Sequence, residues 1–178
     1  MKRPVDSDAA VKKNDELVLT VTDYTVDGAG VAKTKTGFTV FVPSGAVGDE
    51  CLVHIIKVAK NYAVGKPVRT VSPSPDRVAV DCPAFPSCGG CDFRHVSYES
   101  ELEFKREWVR QSFLRLAGAD VSSEPVLTAG CRRYRNKAIY QFAEIGGRLT
   151  AGFYARHSHR VVPCGDCPLH PEAFGKIL

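Results

Sequence analysis

The stretch Glu16–Val71, ELVLTVTDYTVDGAGVAKTKTGFTVFVPSGAVGDECLVHIIKVAKNYAVGKPVRTV, decides the fold of the first part of the chain. Leu17, Leu19 and Val21 alternate with Val18, Thr20 and Thr22, and Phe38, Val40 and Val42 alternate with Thr39 and Phe41. A repeat of two is the signature of strands with one buried face. Five β-rich runs follow one another: ELVLTVTDY, GVAK, GFTVFVP, ECLVHIIKVAK and YAVGKPVRTV. DGAG at Asp27–Gly30 and PSGAVGD at Pro43–Asp49 supply turn residues between them. Five strands this short, with no helix of length among them, predict a small closed or partly open β-barrel, and an SH3-like barrel satisfies the same pattern.

Upstream, residues 1–14 lack periodicity and read as a flexible tail, which places the barrel at residues 15–73. Downstream, SPSPDR at Ser72–Arg77 carries two prolines and reads as the linker to a second unit, residues 74–178. That unit opens with Asp81–His95, a segment of cysteine, proline and glycine whose order must come from something other than apolar burial. Ser97 then opens a helix. Leu102, Val109, Phe113 and Leu116 form one stripe, Glu99 and Glu101 sit in the first turn, Arg110 and Arg115 lie near the end, and Gly118 is the expected stop. YRNKAIYQFAEIGGRLTAGFYA reads as a hairpin turning at Gly146–Gly147, HRVVP as a third strand, and PLHPEAFGKIL as the start of a short helix. The fold class is mainly β with some α.

In 178 residues, 44% are hydrophobic, 25% charged and 9% aromatic, which excludes a disordered or fibrous chain. No apolar run approaches the roughly 18 residues of a membrane-spanning helix, so no membrane partner is expected. The N-terminus lacks the apolar core of a signal peptide, and the expected location is the cytoplasm. A net charge of +4 hints weakly at an acidic partner.

Seven cysteines, an odd number without an export signal, point to metal ligation or free thiols rather than a disulfide framework. Cys82, Cys88 and Cys91 stand in CPAFPSCGGC, where two glycines let the backbone wrap tightly around whatever the sulfurs hold. Cys164 and Cys167, in VPCGDCPLH, are the candidates for a fourth thiolate. Cys51 lies inside a strand and Cys131 stands alone, both better read as small hydrophobes. Spacing leaves two metals open. Three clustered cysteines plus a remote one suit an iron–sulfur cluster, whereas Cys88, Cys91, Cys164 and Cys167 form two short knuckles that suit structural zinc. His95, His157, His159 and His170 lack a nucleophile or carboxylate pattern that would make them catalytic.

Between Cys131 and Arg160 the cations Arg132, Arg133, Arg135, Lys137, Arg148, Arg156 and Arg160 face one acid, Glu144. Tyr134, Tyr140, Phe142, Phe153 and Tyr154 interleave with them, a composition that suits phosphates and stacked bases. Arg132, Arg133, Arg135 and Lys137 are the candidates for RNA backbone contacts. Lys33, Lys35, Lys57, Lys60 and Arg69 add charge to the barrel. The chain has no dinucleotide-binding glycine motif after a strand, no P-loop, no HExxH and no Ser/His/Asp set in recognisable context.

With these residues in view, DYTVDGAGVAK through SPSPDR resembles a TRAM domain, an RNA-binding barrel of the OB type. CPAFPSCGGCDFRHVSYESELEFKREWVRQSFLRLAG, YRNKAIYQF, GRLTAGFYARHSHRVV and CPLHPE then resemble, in order, the next region of the S-adenosylmethionine-dependent RNA uracil-5-methyltransferases. The resemblance implies a [4Fe-4S] cluster held by Cys82, Cys88, Cys91 and Cys167, the last being the cysteine followed by Pro168 and Leu169. Cys164 has no counterpart in that pattern, and Arg94 stands where the family often has glutamine. It also implies an RNA partner, ribosomal or transfer RNA, and a further domain for S-adenosylmethionine and catalysis that these residues do not contain. The expectation is a truncated product or fragment with an incomplete α+β iron–sulfur domain, inactive alone. The competing expectation is a stand-alone RNA-binding adaptor with a structural zinc knot.

Overall fold

Along β1, Glu16–Tyr24, burial alternates as the sequence does: Leu17, Leu19 and Val21 are buried while Val18, Thr20 and Thr22 face out. The computed structural model describes residues 10–121 and 124–177. Its contacts divide the chain into Met1–Val78 with His95–Phe104, and Ala79–Arg94 with Lys105–Leu178.

The first unit is a closed barrel. β2 (Gly30–Lys33), β3 (Thr39–Val42), β4 (Glu50–Val58) and β5 (Tyr62–Ser72) join β1 in the order β1-β2-β3-β5-β4. All neighbours are antiparallel except β3 and β5, whose parallel pairing lets β4 close back on β1. Register shifts in β1 and at three points along β4–β5 supply the extra twist that closure needs. Val40, Val42, Cys51, Val53, Ile55 and Ala63 complete a core that Phe38 caps from the side. At Gly65 a Cβ would collide with Val53 Cγ1, so the missing side chain is what lets β4 and β5 approach.

Two boundaries differ from the sequence expectation. Residues 1–9 of the expected tail lie outside the described residues, but Val11 packs on the barrel core and Asn14 N–H donates to Ile55 O at 2.8 Å. The strand of β4 thus extends its pairing to the residues before β1. Ser72–Arg77 is not a loose connection either. Asp49, with no exposed surface, accepts from Ala46 N–H (2.7 Å), Ser74 N–H (2.9 Å) and Arg77 Nε (3.0 Å), while an Arg77 Nη donates to Ser44 O at 2.8 Å. This buried ion pair fastens the post-barrel segment to the turn before β4. The chain returns to it at His95–Ser97: Val78 N–H donates to His95 O, Ser97 N–H to Asp76 O, and His95 is buried.

Helix α1 spans Tyr98–Ala117, with Ser97 Oγ accepting from Ser100 N–H as N-cap and Gly118 in the left-handed region at φ 65° as its stop. Its expected apolar stripe is present, with Leu102 half-buried, Val109 and Phe113 exposed and Leu116 90% exposed, and no residue of the helix is fully buried. Periodicity identifies the apolar face of a helix, not whether anything lies on it.

The second unit is built on a three-stranded antiparallel sheet, β6 (Gln141–Ile145), β7 (Arg148–Tyr154) and β8 (Val161–Pro163). Gly146 and Gly147 make the expected turn, both with positive φ. A single turn, α2 (Glu172–Gly175), follows. Ala84, Ala155, Val162 and Cys164 form a small core with Cys82, Cys88, Phe153 and Cys167 packed on it.

Candidate metal centre

The cysteine loop is shaped by backbone bonds. Phe85 N–H donates to Cys82 O (3.1 Å) and Cys88 N–H to Ala84 O (2.8 Å), giving two successive turns between the first two thiols. Gly89 N–H then donates to Tyr154 O at 3.0 Å, docking the loop on the end of β7. A Cβ at Gly89 would stand 3.2 Å from that oxygen and 3.3 Å from Arg156 N, so only glycine fits without a shift.

On the other side, β8 ends at Pro163 and delivers Cys164, whose N–H donates to Ala151 O at 3.2 Å. Residues 133–135 flank the segment that follows. Arg133 N–H donates to Pro168 O and Arg135 N–H to Leu169 O, both at 2.9 Å. The Arg133 guanidinium forks onto Asp166 (2.6 and 3.0 Å) and donates to the carbonyls of His170 (2.8 Å) and Cys167 (3.2 Å).

The result is one cavity of about 40 Å³ lined by Cys82, Cys88, Cys91, Cys164 and Cys167, together with Phe85, Phe153, Arg94, Arg135 and His170. The cavity therefore brings together the four cysteines that the resemblance implies and Cys164, which the two-knuckle alternative also names. Cys51 is buried in the barrel core, and Cys131 and His95 do not line the cavity. His170 is buried among Tyr140, Phe153 and Phe174, with ring centroids 5.5–5.9 Å away.

The electrostatics are those of thiols drawn out of water. Burial pushes Cys88 upward and Cys91 up to about 11. Cys167 moves the other way. The neighbouring Cys164 thiol and the backbone N–H groups of Leu169 and His170 favour its ionised form and lower it, while Cys164 is pushed upward by Cys167 and by burial. Cys88 Sγ accepts from Gly90 N–H at 3.4 Å. Arg94 and Arg135 lower the thiols they face.

This donor set is chemically suited to a soft metal group. Thiolates select zinc or iron–sulfur clusters, and hydrogen bonds to sulfur plus nearby cations stabilise a bound anionic cluster. The sulfurs surround the cavity instead of converging: among the described residues no group of three or more donors meets the geometry of a single ion. One water needs only ~10–15 Å³ by the same measure, so the space exceeds that of a bare ion. Cys82, Cys88, Cys91 and Cys167 are the residues that would hold a cluster.

Of the four cations expected at RNA, Arg132 pairs with Asp81, which also takes the fork of Arg94. Burial pushes the Asp81 carboxyl up, but the Arg94 hydrogen bonds and the two charges prevail and hold it below its ordinary range. Arg133 is committed to Asp166, and Arg156 pairs with Asp92. Arg135 and Lys137 are exposed and make no ion pair among the described residues. An open groove of about 490 Å³ runs beside the cysteine loop, lined by Gly89, Gly90, Ile139, Gln141, Tyr154 and Arg156 among others. The sequence points to the cations of this region; their acid partners lie outside the basic segment and escaped notice.

Comparison with known proteins adds the class. Residues 10–68, the stretch that forms most of the barrel, match the TRAM domain family. Over 172 residues the chain is 41% identical to a Clostridium tetani protein described as an uncharacterized RNA methyltransferase, covering 96% of this chain and 37% of that protein. A Halalkalibacterium halodurans protein of the same description is 38% identical with the same coverage. The crystal structure of Pyrococcus abyssi tRNA (uracil-54, C5)-methyltransferase in complex with S-adenosyl-L-homocysteine superposes with a TM-score of 0.57 at 26% identity, over 90% of this chain and 34% of that one. The chain is thus similar to RNA methyltransferases and spans little more than a third of the length of these relatives. Among the described residues no helix is long and apolar enough to cross a membrane.

Proposed function

We propose that this chain is the RNA-recognising, [4Fe-4S]-binding part of an S-adenosylmethionine-dependent RNA uracil-5-methyltransferase. The observation that carries it is that Cys82, Cys88, Cys91 and Cys167, from segments far apart in sequence, line one cavity together with two arginines. The collinear similarity to RNA methyltransferases, and to a uracil-5 enzyme of known structure, supports the substrate and methyl donor. Bound, the cluster would tie the loop of Cys82–Cys91 to the segment after β8. Arg94 and Arg135 would offset its charge, and Arg133 would hold Cys167 in place.

Anaerobic purification with iron and sulfide analysis tests this. The expected result is about four irons per chain and a broad visible absorption, with Cys91→Ser reducing iron at least roughly tenfold. The zinc alternative is kept alive by Cys164, which makes two knuckles available; one zinc in a colourless protein would establish it and defeat the cluster.

RNA backbone contacts are assigned to Arg135 and Lys137, with Arg132 sharing its charge with Asp81. Affinity for structured RNA should fall steeply with salt, and Lys137→Ala should flatten the slope of log affinity against log salt by roughly one unit. Binding that does not respond to salt would remove the assignment. Ribosomal and transfer RNA probes run in parallel identify the substrate class.

A further inference from the structure

Five thiols line a cavity for which four suffice, and the fifth is not idle. We propose that Cys164 is an exchangeable fourth ligand that takes over when Cys167 is displaced, a proposal that rests on the cluster reading above. Both side chains line the same cavity, at the two ends of a three-residue step along the chain. Exchange needs no oxidant or reductant. The Cys167–iron bond breaks, the Cys164 thiol gives its proton to the freed Cys167 sulfur, and Cys164 forms the new bond.

The two cysteines are held by different parts of the fold. Cys164 is fastened to the sheet, through its N–H to Ala151 O. Cys167 sits beyond it in a loop held by the Arg133 fork to Asp166, the residue immediately before it, and by the backbone bonds from Arg133 to Pro168 O and from Arg135 to Leu169 O. Between them Gly165 has nothing within 4 Å of where a Cβ would stand. The Arg133–Asp166 clamp makes Cys167 the resident ligand, and loss of the clamp leaves the sheet-anchored thiol in place.

The test compares anaerobically purified wild type, Cys82→Ala, Cys164→Ala, Cys167→Ala and the Cys164→Ala/Cys167→Ala double variant by iron content, visible absorption and electron paramagnetic resonance after reduction. Wild type and Cys164→Ala should hold equal iron and Cys167→Ala at least about half of it, while the double variant and Cys82→Ala fall roughly tenfold or more. Arg133→Gln, which leaves both thiols intact, guards against misfolding of the cysteine variants. It should retain iron alone and lose it when combined with Cys164→Ala. Iron absent from Cys167→Ala but full in Cys164→Ala, with wild type loaded, would make Cys164 a bystander and overturn the exchange alone. A wild type without iron would remove the cluster reading and the exchange with it.

Discussion

Arg77→Ala should cost the barrel about 3–5 kcal/mol, the usual penalty when one partner of a buried ion pair is removed and the other charge stays inside. Asp49 has no exposed surface, and without Arg77 it keeps only the N–H groups of Ala46 and Ser74. The same substitution frees Ser44 O and releases the segment after β5, so the cost extends beyond the pair itself. At about 4–8 °C per kcal/mol for a domain this small, the unfolding midpoint of the barrel should drop by at least ~12 °C. A drop of only a few degrees would show that the pair is incidental. The pH dependence follows from the same group. Burial pushes the Asp49 carboxyl up, but the Arg77 hydrogen bonds, the two N–H donors and the Arg77 charge outweigh it and hold it below its unfolded value. A depressed folded pKa contributes stability that is present above the unfolded value, about 3.9, and is lost as pH falls through the folded one. Acid unfolding below about pH 4 should therefore lose this contribution in the wild type and show little of it in Arg77→Ala.

Asp49 also shows where sequence reading stops. In PSGAVGD it is one more turn residue, and nothing local reveals that its partner lies beyond two prolines in what reads as a linker. The strands were legible because alternation is a local property that burial alone enforces, and Leu17, Leu19 and Val21 follow it without exception. Helix α1 was legible in its limits, since Ser97 and Gly118 act within one turn, but its apolar stripe carried no information about cover. At the cysteine site the CGGC loop announced itself by spacing. Cys164 was legible as a candidate thiolate, but its place in the same cavity as Cys82, beside Cys167, was not, because that depends on the register of β8 against β7. Arg133 was legible as a charge and not as a clamp, since Asp166 lies outside the basic segment that drew attention to it.

That register is the most exposed point of the second unit, and Gly152→Ala should break it. Gly152 on β7 pairs with Pro163 on β8, one residue before Cys164. A Cβ at Gly152 would overlap the Val162 carbonyl oxygen and stand 3.1 Å from Pro163 Cα. Both are backbone, so no rotamer change relieves the contact, and β8 must move away from β7. The displacement carries Cys164 off Ala151 O and takes the following loop with it, opening the cavity opposite Cys82 and Cys88. We expect a loss of about 3 kcal/mol or more in the second unit and, for the proposed cluster, at least a tenfold fall in bound iron. Hydrogen exchange should show unprotected amides in β7 and β8 with the barrel strands unchanged. Gly147→Ala is the control: at φ 77° it imposes backbone strain of about 1–2 kcal/mol, but nothing lies within 4 Å of its Cβ. It should weaken the hairpin turn and leave iron bound. If Gly152→Ala keeps its iron and its β8 protection, the position of the fourth ligand does not depend on the sheet, and Cys167 is held by the Arg133 loop alone.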